Sequence, residues 1–265
     1  MAYDLTMTRN WIRKPASWIG SKWEIKNLIE LKTVHRVLIE GNVLDGSWAQ
    51  AQTGYGVLFK STCNGLHNEN TEDVTFRNNY MTHVGAGFEI TGRESQSGDC
   101  QLQYPSERTQ RILIENNKID SINVGGYTGD ARLFLVGGLQ DAIADLTIRY
   151  NSVTSPNANL NAFLVLTAVA PPAVDRFDFD ANVISEGRYG LFTDNAWPLN
   201  TAAAPNTFLN NIIVRESYVN YPNTYPATNT VVSSGYPDAF NLAAQSGIGV
   251  DAGKLSTAIQ GVVTP

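Results

Sequence analysis

The phrase VLIEGNVL at residues 37–44 returns, with changes, six more times along the 265 residues of this chain. Aligned on its asparagine the set reads LTMTRNWI (5–12), VLIEGNVL (37–44), VTFRNNYM (74–81), ILIENNKI (112–119), LTIRYNSV (146–153), FDFDANVI (177–184) and, more weakly, NTFLNNII (206–213). The aligned residues are Asn10, Asn42, Asn79, Asn117, Asn151, Asn182 and Asn211, spaced by 32, 37, 38, 34, 31 and 29 positions. A constant phrase at variable spacing is what stacked coils with unequal corner loops produce, and few other architectures accommodate it.

Within each phrase apolar residues fall at period two and β-branched residues are common, which predicts a short strand with one buried face. A second strand follows each asparagine at variable distance, as in NLIEL (27–31), GYGVLF (54–59), GAGFEI (85–90), ARLFLV (131–136), NAFLVL (161–166) and YGLF (189–192). Helical spacing is nowhere sustained, so the repeat unit reads as strand, asparagine turn, strand, loop. Such units bury their inner faces by winding into a solenoid with coils about 4.8 Å apart. The expected fold is therefore all-β: a right-handed, single-stranded parallel β-helix over residues 1–214, with a C-terminal tail over 215–265 that packs on it. The asparagines are expected at one corner, tolerating left-handed backbone and bonding amide to amide between coils.

Two outward patterns accompany the core. Thr8, Glu40, Arg77, Glu115, Arg149 and Asp180 stand two residues before successive asparagines, which predicts an ion ladder with each guanidinium between two carboxylates. In the second strands Leu58, Leu135, Val165 and Phe192 point outward, interrupted by Glu30 and Glu89, which predicts a sheet covered by the tail or by a second subunit. The first coil exposes an edge that either residues 11–26 or a homo-oligomeric contact should cover. In that segment Trp11, Trp18 and Trp23 are assigned first to sealing the end and second to sugar stacking.

Composition removes several function classes. Charged residues are 17% of the chain and the net charge is −6, without the clustered Lys and Arg that a nucleic-acid or anionic membrane surface requires. No apolar run approaches the length of a membrane span, and the first residues lack a signal-peptide layout. GxSxG, GxxxxGK, HExxH and zinc-type Cys/His spacings are all absent. The sequence demands no cofactor and assigns no metal ligand; calcium held by loop carboxylates is the one ion left open. Cys63 and Cys100 lie in two long loops on neighbouring coils, and whether they pair is left open.

The run of phrases from NLIEL through VLIEGNVL, TEDVTFRNNYMTHVGAGFEI, TQRILIENNKID and ARLFLVGG resembles bacterial right-handed parallel β-helix repeat proteins of the pectate-lyase-like superfamily, over roughly residues 4–195. The stretch FNLAAQSGIGVDAGKL (240–255) also resembles their C-terminal tails. Relatives of this kind are usually longer at the N-terminus and exported. The resemblance thus implies a truncated chain and a secreted or periplasmic native protein.

Candidate chemistry concentrates just past the asparagine corners. Asp45, His83, Asp120 and Glu186 read as equivalent turn positions, and the loops that follow add Trp48, Tyr127, Asp130 and Arg132. Asp45, His83, Asp120, Asp130, Arg132 and Glu186 are the catalytic candidates; Trp48, Tyr127 and Glu89 are the substrate-binding ones. Glycoside hydrolysis needs two carboxyls, whereas β-elimination from a uronic acid needs a base beside a cation, for which Arg132 with Tyr127 or His83 would serve. Turn acids and a single His are more often structural, so each assignment competes with local hydrogen bonding. The expected function is a glycoside hydrolase or polysaccharide lyase acting on an extracellular polysaccharide. The alternative is a non-catalytic polysaccharide-binding or structural solenoid.

Overall fold

A computed structural model describes residues 2–63, 68–95, 107–138, 141–155, 159–168, 174–193, 207–219 and 224–262. The Cys63–Cys100 pairing lies outside the described residues. The chain is a parallel β-helix with three sheets, and successive coils add one strand to each. The first face stacks Ala2–Thr8, Val34–Glu40, Glu72–Arg77, Gln110–Glu115, Ile143–Arg149, Val174–Asp180 and Thr207–Leu209. The second face follows the asparagine corner with eight short strands from Trp11–Arg13 to Thr230–Val232. The third carries six, from Ile29–Leu31 through Tyr55–Cys63, Ala86–Ser95, Arg132–Gly138 and Ala162–Ala168 to Leu191–Thr193.

Three strands per coil replace the two expected from sequence. Second-face strands such as Lys118–Ile119 and Ser152–Val153 have only two residues each, too few to show a period. Every pairing in the three sheets is parallel, and apart from a shift past Phe59 on the third face the strands are in register, so like sits above like. Ile39, Phe76, Ile114, Ile148, Phe179 and Phe208 form one inward column, and none is more than 4% exposed. Phe88 stacks on Phe134 at 5.2 Å and Phe179 on Phe208 at 5.1 Å. Each fully buried side chain of this size stabilises the fold by about 1.5–3 kcal/mol.

The asparagine corner is the second organising element. Each asparagine Oδ1 accepts both the backbone N–H and the side-chain Nδ2 of the asparagine one coil earlier: Asn42 from Asn10, Asn79 from Asn42, Asn117 from Asn79, and so on to Asn211. Each Nδ2 from Asn42 onward also donates to a first-face carbonyl, as Asn117 does to Phe76 at 3.1 Å. The ladder has an eighth rung the sequence did not announce, Asn229, which accepts from Asn211. The left-handed backbone belongs to the preceding residue, not to the asparagine: Arg9, Gly41, Asn78, Asn116, Tyr150, Ala181 and Asn210 all have φ between 53° and 67°. That twist turns the asparagine side chain inward, where it is fully buried from Asn42 to Asn211.

The charge column is arranged in pairs, not as a continuous ladder. Arg77 bonds Glu40 at 3.0 and 3.2 Å, and Arg149 bonds Glu115 at 3.0 and 2.8 Å. Both guanidiniums lean toward the coil before them. A further column went unnoticed in the sequence because its residues sit inside the strands at left-handed bulges: Asp4, Arg36, Asp73, Arg111, Asp145 and Arg176. It is paired likewise, Arg36 with Asp4, Arg111 with Asp73 and Arg176 with Asp145. The guanidinium hydrogen bonds hold the Asp73 and Asp145 carboxyls below the usual range.

The tail lies against the second face and the asparagine corner, not over the third face where the outward aliphatics suggested a cover. Helix α1 (Tyr236–Ser246) packs Ala239 and Ala243 on Val183, Ile212 and Val214. The chain then runs back toward the N-terminal coils. Gly249 N–H bonds Ala181 O at 2.8 Å, Val250 N–H bonds Ser152 Oγ at 2.9 Å and Asp251 N–H reaches Asn116 Oδ1. Helix α2 (Ala252–Ala258) lays the Ala258 carbonyl on Gly41, where a Cβ would come within 2.5 Å of it. The six equivalents of Gly41 carry side chains at the same φ, so this glycine is required by the tail's approach. Residues 14–26 run beside the second coil, with Ile25 N–H on Gln50 and Ala51 N–H on Ile25 O. They do not pair with the first-coil edge. Among the described residues no helix is long and apolar enough to cross a membrane.

Replacing Asn117 with Ala orphans the buried Asn79 amide and the Phe76 carbonyl together. Since each buried unsatisfied group costs about 1–3 kcal/mol, Asn117→Ala should lose roughly 3 kcal/mol or more in urea denaturation. Asn10→Ala, at the exposed end of the ladder, should lose about 1 kcal/mol at most.

Candidate functional site

Asp45 and Asp120 occupy one register of the second face, separated by Thr82; His83 lies one position further along its coil, and Glu186 lies in the register of His83 three coils on. Asp45 pairs with Thr82, and Asp120 N–H bonds Met81 O, which sets Asp120 opposite Thr82. Asp45 accepts from His83 Nδ1 at 2.9 Å and faces Arg13 Nε at 3.3 Å, and its side chain is 4% exposed. Asp120 accepts from Thr82 Oγ1 at 2.7 Å and from Tyr80 at 3.1 Å, with Lys118 Nζ 3.5 Å away. Both acids are surrounded by donors, so each is engaged in local hydrogen bonds.

Tyr127 lies over this group, its ring 5.1 Å from His83 and 5.9 Å from Trp48, and burial pushes its hydroxyl pKa up. Trp48 is buried, which removes it as an open sugar platform and makes it the support beneath Tyr127. The loop over residues 123–130 is pinned by backbone contacts: Ala49 N–H to Thr128 O at 2.6 Å and Asp130 N–H to Thr53 O at 3.0 Å. A Cβ on Gly85 would meet Thr128 O at 2.5 Å, which accounts for the first glycine of the GAG phrase.

Glu186 is a correction. It is wholly buried four coils beyond Asp45, held by Nε and Nη2 of Arg215 and by the Tyr225 hydroxyl at 2.9 Å. A carboxylate so enclosed anchors the last coils and is not presented to a substrate.

The third face unites the remaining candidates. Its outward register runs Glu30, Leu58, Glu89, Leu135, Val165 and Phe192 on successive coils. Asp130 enters this face from the corner, accepting from the Tyr55 hydroxyl at 3.4 Å and facing Arg132 Nη1 at 3.7 Å. Glu89 lies between Leu58 and Leu135, and no hydrogen bond or ion pair engages its carboxyl among the described residues. Burial raises its pKa above the ordinary glutamate range, Lys60 opposes the rise, and the charge of Asp130 adds to it. The two carboxyls therefore share one face in unlike settings, Glu89 among aliphatics and Asp130 among donors.

Beyond Arg132 the face continues into a groove of about 250 Å³ lined by Arg132, Asn161, Ala162, Val165, Tyr189 and Phe192. Tyr189 and Phe192 are 39% and 47% exposed, unusual for large rings. These two aromatics, not the tryptophans, are the open ring faces further along the third face, and the sequence signal for them was the outward register of Phe192. Trp18 and Trp23, also exposed, lie together at the first coil with ring centroids 6.2 Å apart. Among the described residues no three His, Cys, Asp or Glu side chains converge to hold a metal ion.

Comparisons of the chain with protein-family models, curated proteins and solved structures return no match.

A carboxyl whose folded pKa is raised stabilises the fold only below its unfolded pKa, and that contribution is lost as pH rises toward the folded value. Glu89→Gln should therefore raise the melting temperature at pH 7 and leave it unchanged below about pH 4, where the unfolded glutamate is itself protonated. Thermal melts across pH read this directly. By contrast, Glu186→Ala should cost on the order of 3 kcal/mol at pH 7 by removing the buried carboxyl that Arg215 and the Tyr225 hydroxyl both bond, without altering the third face.

Proposed function

We propose that the third face is a carbohydrate-cleaving surface, and that the protein is a glycoside hydrolase acting on an extracellular polysaccharide, consistent with its resemblance to pectate-lyase-like β-helix proteins. The observation that carries this reading is the pair of carboxyls in unlike settings, Glu89 among aliphatics and Asp130 among donors, since glycoside hydrolysis divides its work between two carboxyls with different roles. Glu89 would protonate the glycosidic oxygen. Asp130 would activate water or attack the anomeric carbon, with Arg132 and Tyr55 fixing its orientation. Tyr189 and Phe192 offer ring faces on which the apolar C–H surface of a sugar stacks. From Glu89 to Phe192 is three coil steps of about 4.8 Å, room for a short run of sugar units along the face.

A lyase reading uses the same groove differently: Arg132 would neutralise a uronate carboxylate while Asp130 removed the α-proton. Binding without turnover is the reading in which the aromatics act alone. In each case the site suits a secreted or periplasmic protein that meets polymers outside the cytoplasm.

Incubation with a panel of neutral and uronic-acid polysaccharides, followed by mass spectrometry, separates these readings. Products carrying an added water, lost by about 10²-fold or more in Glu89→Gln and in Asp130→Asn, are expected. Unsaturated ends would replace hydrolysis by elimination. Retardation on a polysaccharide gel that Phe192→Ala abolishes, with no product from any polymer, would leave a binding solenoid.

A further inference from the structure

The second face holds a constellation that the third-face reading does not use. One position past Asp45 and its equivalents, the coils carry Lys14, Gly46, His83 and Ser121 in register. Lys14 N–H bonds Asp45 O, and the pairings of Ile119 with Met81 and of Ile122 with Val84 leave Ser121 opposite His83. Asp45, His83 and Ser121 therefore belong to three consecutive coils, an order that no short sequence motif could display.

Asp45 orients the imidazole: its Oδ1 lies 2.9 Å from His83 Nδ1, and its Oδ2 faces Arg13 at 3.3 Å. The relay uses the tautomer in which Nδ1 donates to Asp45, which leaves Nε2 as the nitrogen that faces away from the aspartate. The His83 side chain is 40% exposed although its aspartate is buried. Ser121 has φ 53° against 52° for His83, so their Cα–Cβ bonds run parallel, one coil step of about 4.8 Å apart. No hydrogen bond engages the Ser121 hydroxyl among the described residues, whereas Thr82, the neighbouring hydroxyl, is committed to Asp120. The Tyr127 ring adds an apolar wall beside the imidazole.

We propose that Ser121, His83 and Asp45 form a nucleophilic relay that cleaves short-chain carboxylic esters of alcohols. Ser121 Oγ attacks the ester carbonyl while its proton passes to His83 Nε2. The carbonyl–alkoxy bond then breaks and the departing alcohol takes that proton, leaving an acyl-serine. Water, deprotonated by the same nitrogen, adds to the acyl carbon and releases the acid, and Ser121 recovers its proton. Asp45 is a positioning residue that holds the tautomer. The proposal does not depend on the glycosidic reading of the third face.

The test is labelling of the intact chain with a biotinylated fluorophosphonate, mapped by peptide mass spectrometry, together with hydrolysis of p-nitrophenyl acetate. An adduct on Ser121 is expected, and hydrolysis should fall by about 10²-fold or more in Ser121→Ala and in His83→Gln, with unfolding midpoints showing both variants folded. Asp45→Asn should produce a like loss and move the His83 imidazole ¹⁵N resonances away from the Nδ1-protonated pattern, a change that a merely structural role would not cause. Glu89→Gln should label as fully as the parent chain, keeping the two sites distinct. Absence of an adduct on Ser121, labelling that persists in His83→Gln, or hydrolysis unchanged by Ser121→Ala would overturn the relay.

Discussion

The rest of the structure depends on a hydrogen bond in which one side-chain oxygen accepts two donors from the coil before it. Asn42 Oδ1 takes the Asn10 amide and side chain, and the pattern repeats to Asn229. At this corner the strands change direction, so backbone groups there lack sheet partners and must be satisfied another way. An asparagine supplies two donors and a two-fold acceptor in a volume that fits between coils. Once one coil places that side chain, the height and rotation of the next are set, and the in-register sheets follow. The loops vary in length because their register is reset at every corner.

That dependence explains what could be read from the sequence. The first-face strands and the asparagines repeat on every coil, so Ile39, Phe76 and Ile114, with Asn42, Asn79 and Asn117, announced themselves by alignment alone. Second-face strands have at most five residues and several only two or three, too short to carry a period, and the eighth asparagine, Asn229, follows Asn211 by only 18 residues in a stretch with no matching phrase. The bulge column of Asp4, Arg36 and Asp73 was hidden because a left-handed residue inside a strand shifts the alternation by one.

The candidate site was partly legible for the same reason. Residue types pointed to Asp45, His83, Asp120, Asp130 and Arg132, but grouping the turn residues as equivalents assumed one register, and His83 and Glu186 stand four residues after their asparagines where Asp45 and Asp120 stand three. Glu186 shares the turn position and not the exposure, because the final coils enclose it with Arg215 and Tyr225. Exposure is set by which neighbouring loop folds back, and a local phrase does not encode that. The outward aliphatics on the third face called for a cover, yet the tail found its apolar partners at Val183, Ile212 and Val214 on the second face instead.

Stacking also separates structural charges from chemically available ones. A residue in a solenoid column meets its own kind at about 4.8 Å above and below, so a charged column persists only if its signs are compensated. Asp4 with Arg36, Asp73 with Arg111, Glu40 with Arg77 and Glu115 with Arg149 obey this on the first face. Individually such exposed pairs contribute little to stability, and their effect is to neutralise the face. The third face departs from the rule at Glu89, an acid set among aliphatics without a counterion of its own, with Asp130 entering from the corner. Replacing Glu89 with another Leu would complete an apolar column at no electrostatic cost, so its presence is unfavourable to the stack alone. A half-buried carboxyl that the stack does not need fits the part proposed for it on this face. The second face argues likewise at His83, where a coil step that elsewhere uses Gly46 carries an imidazole oriented by a buried aspartate.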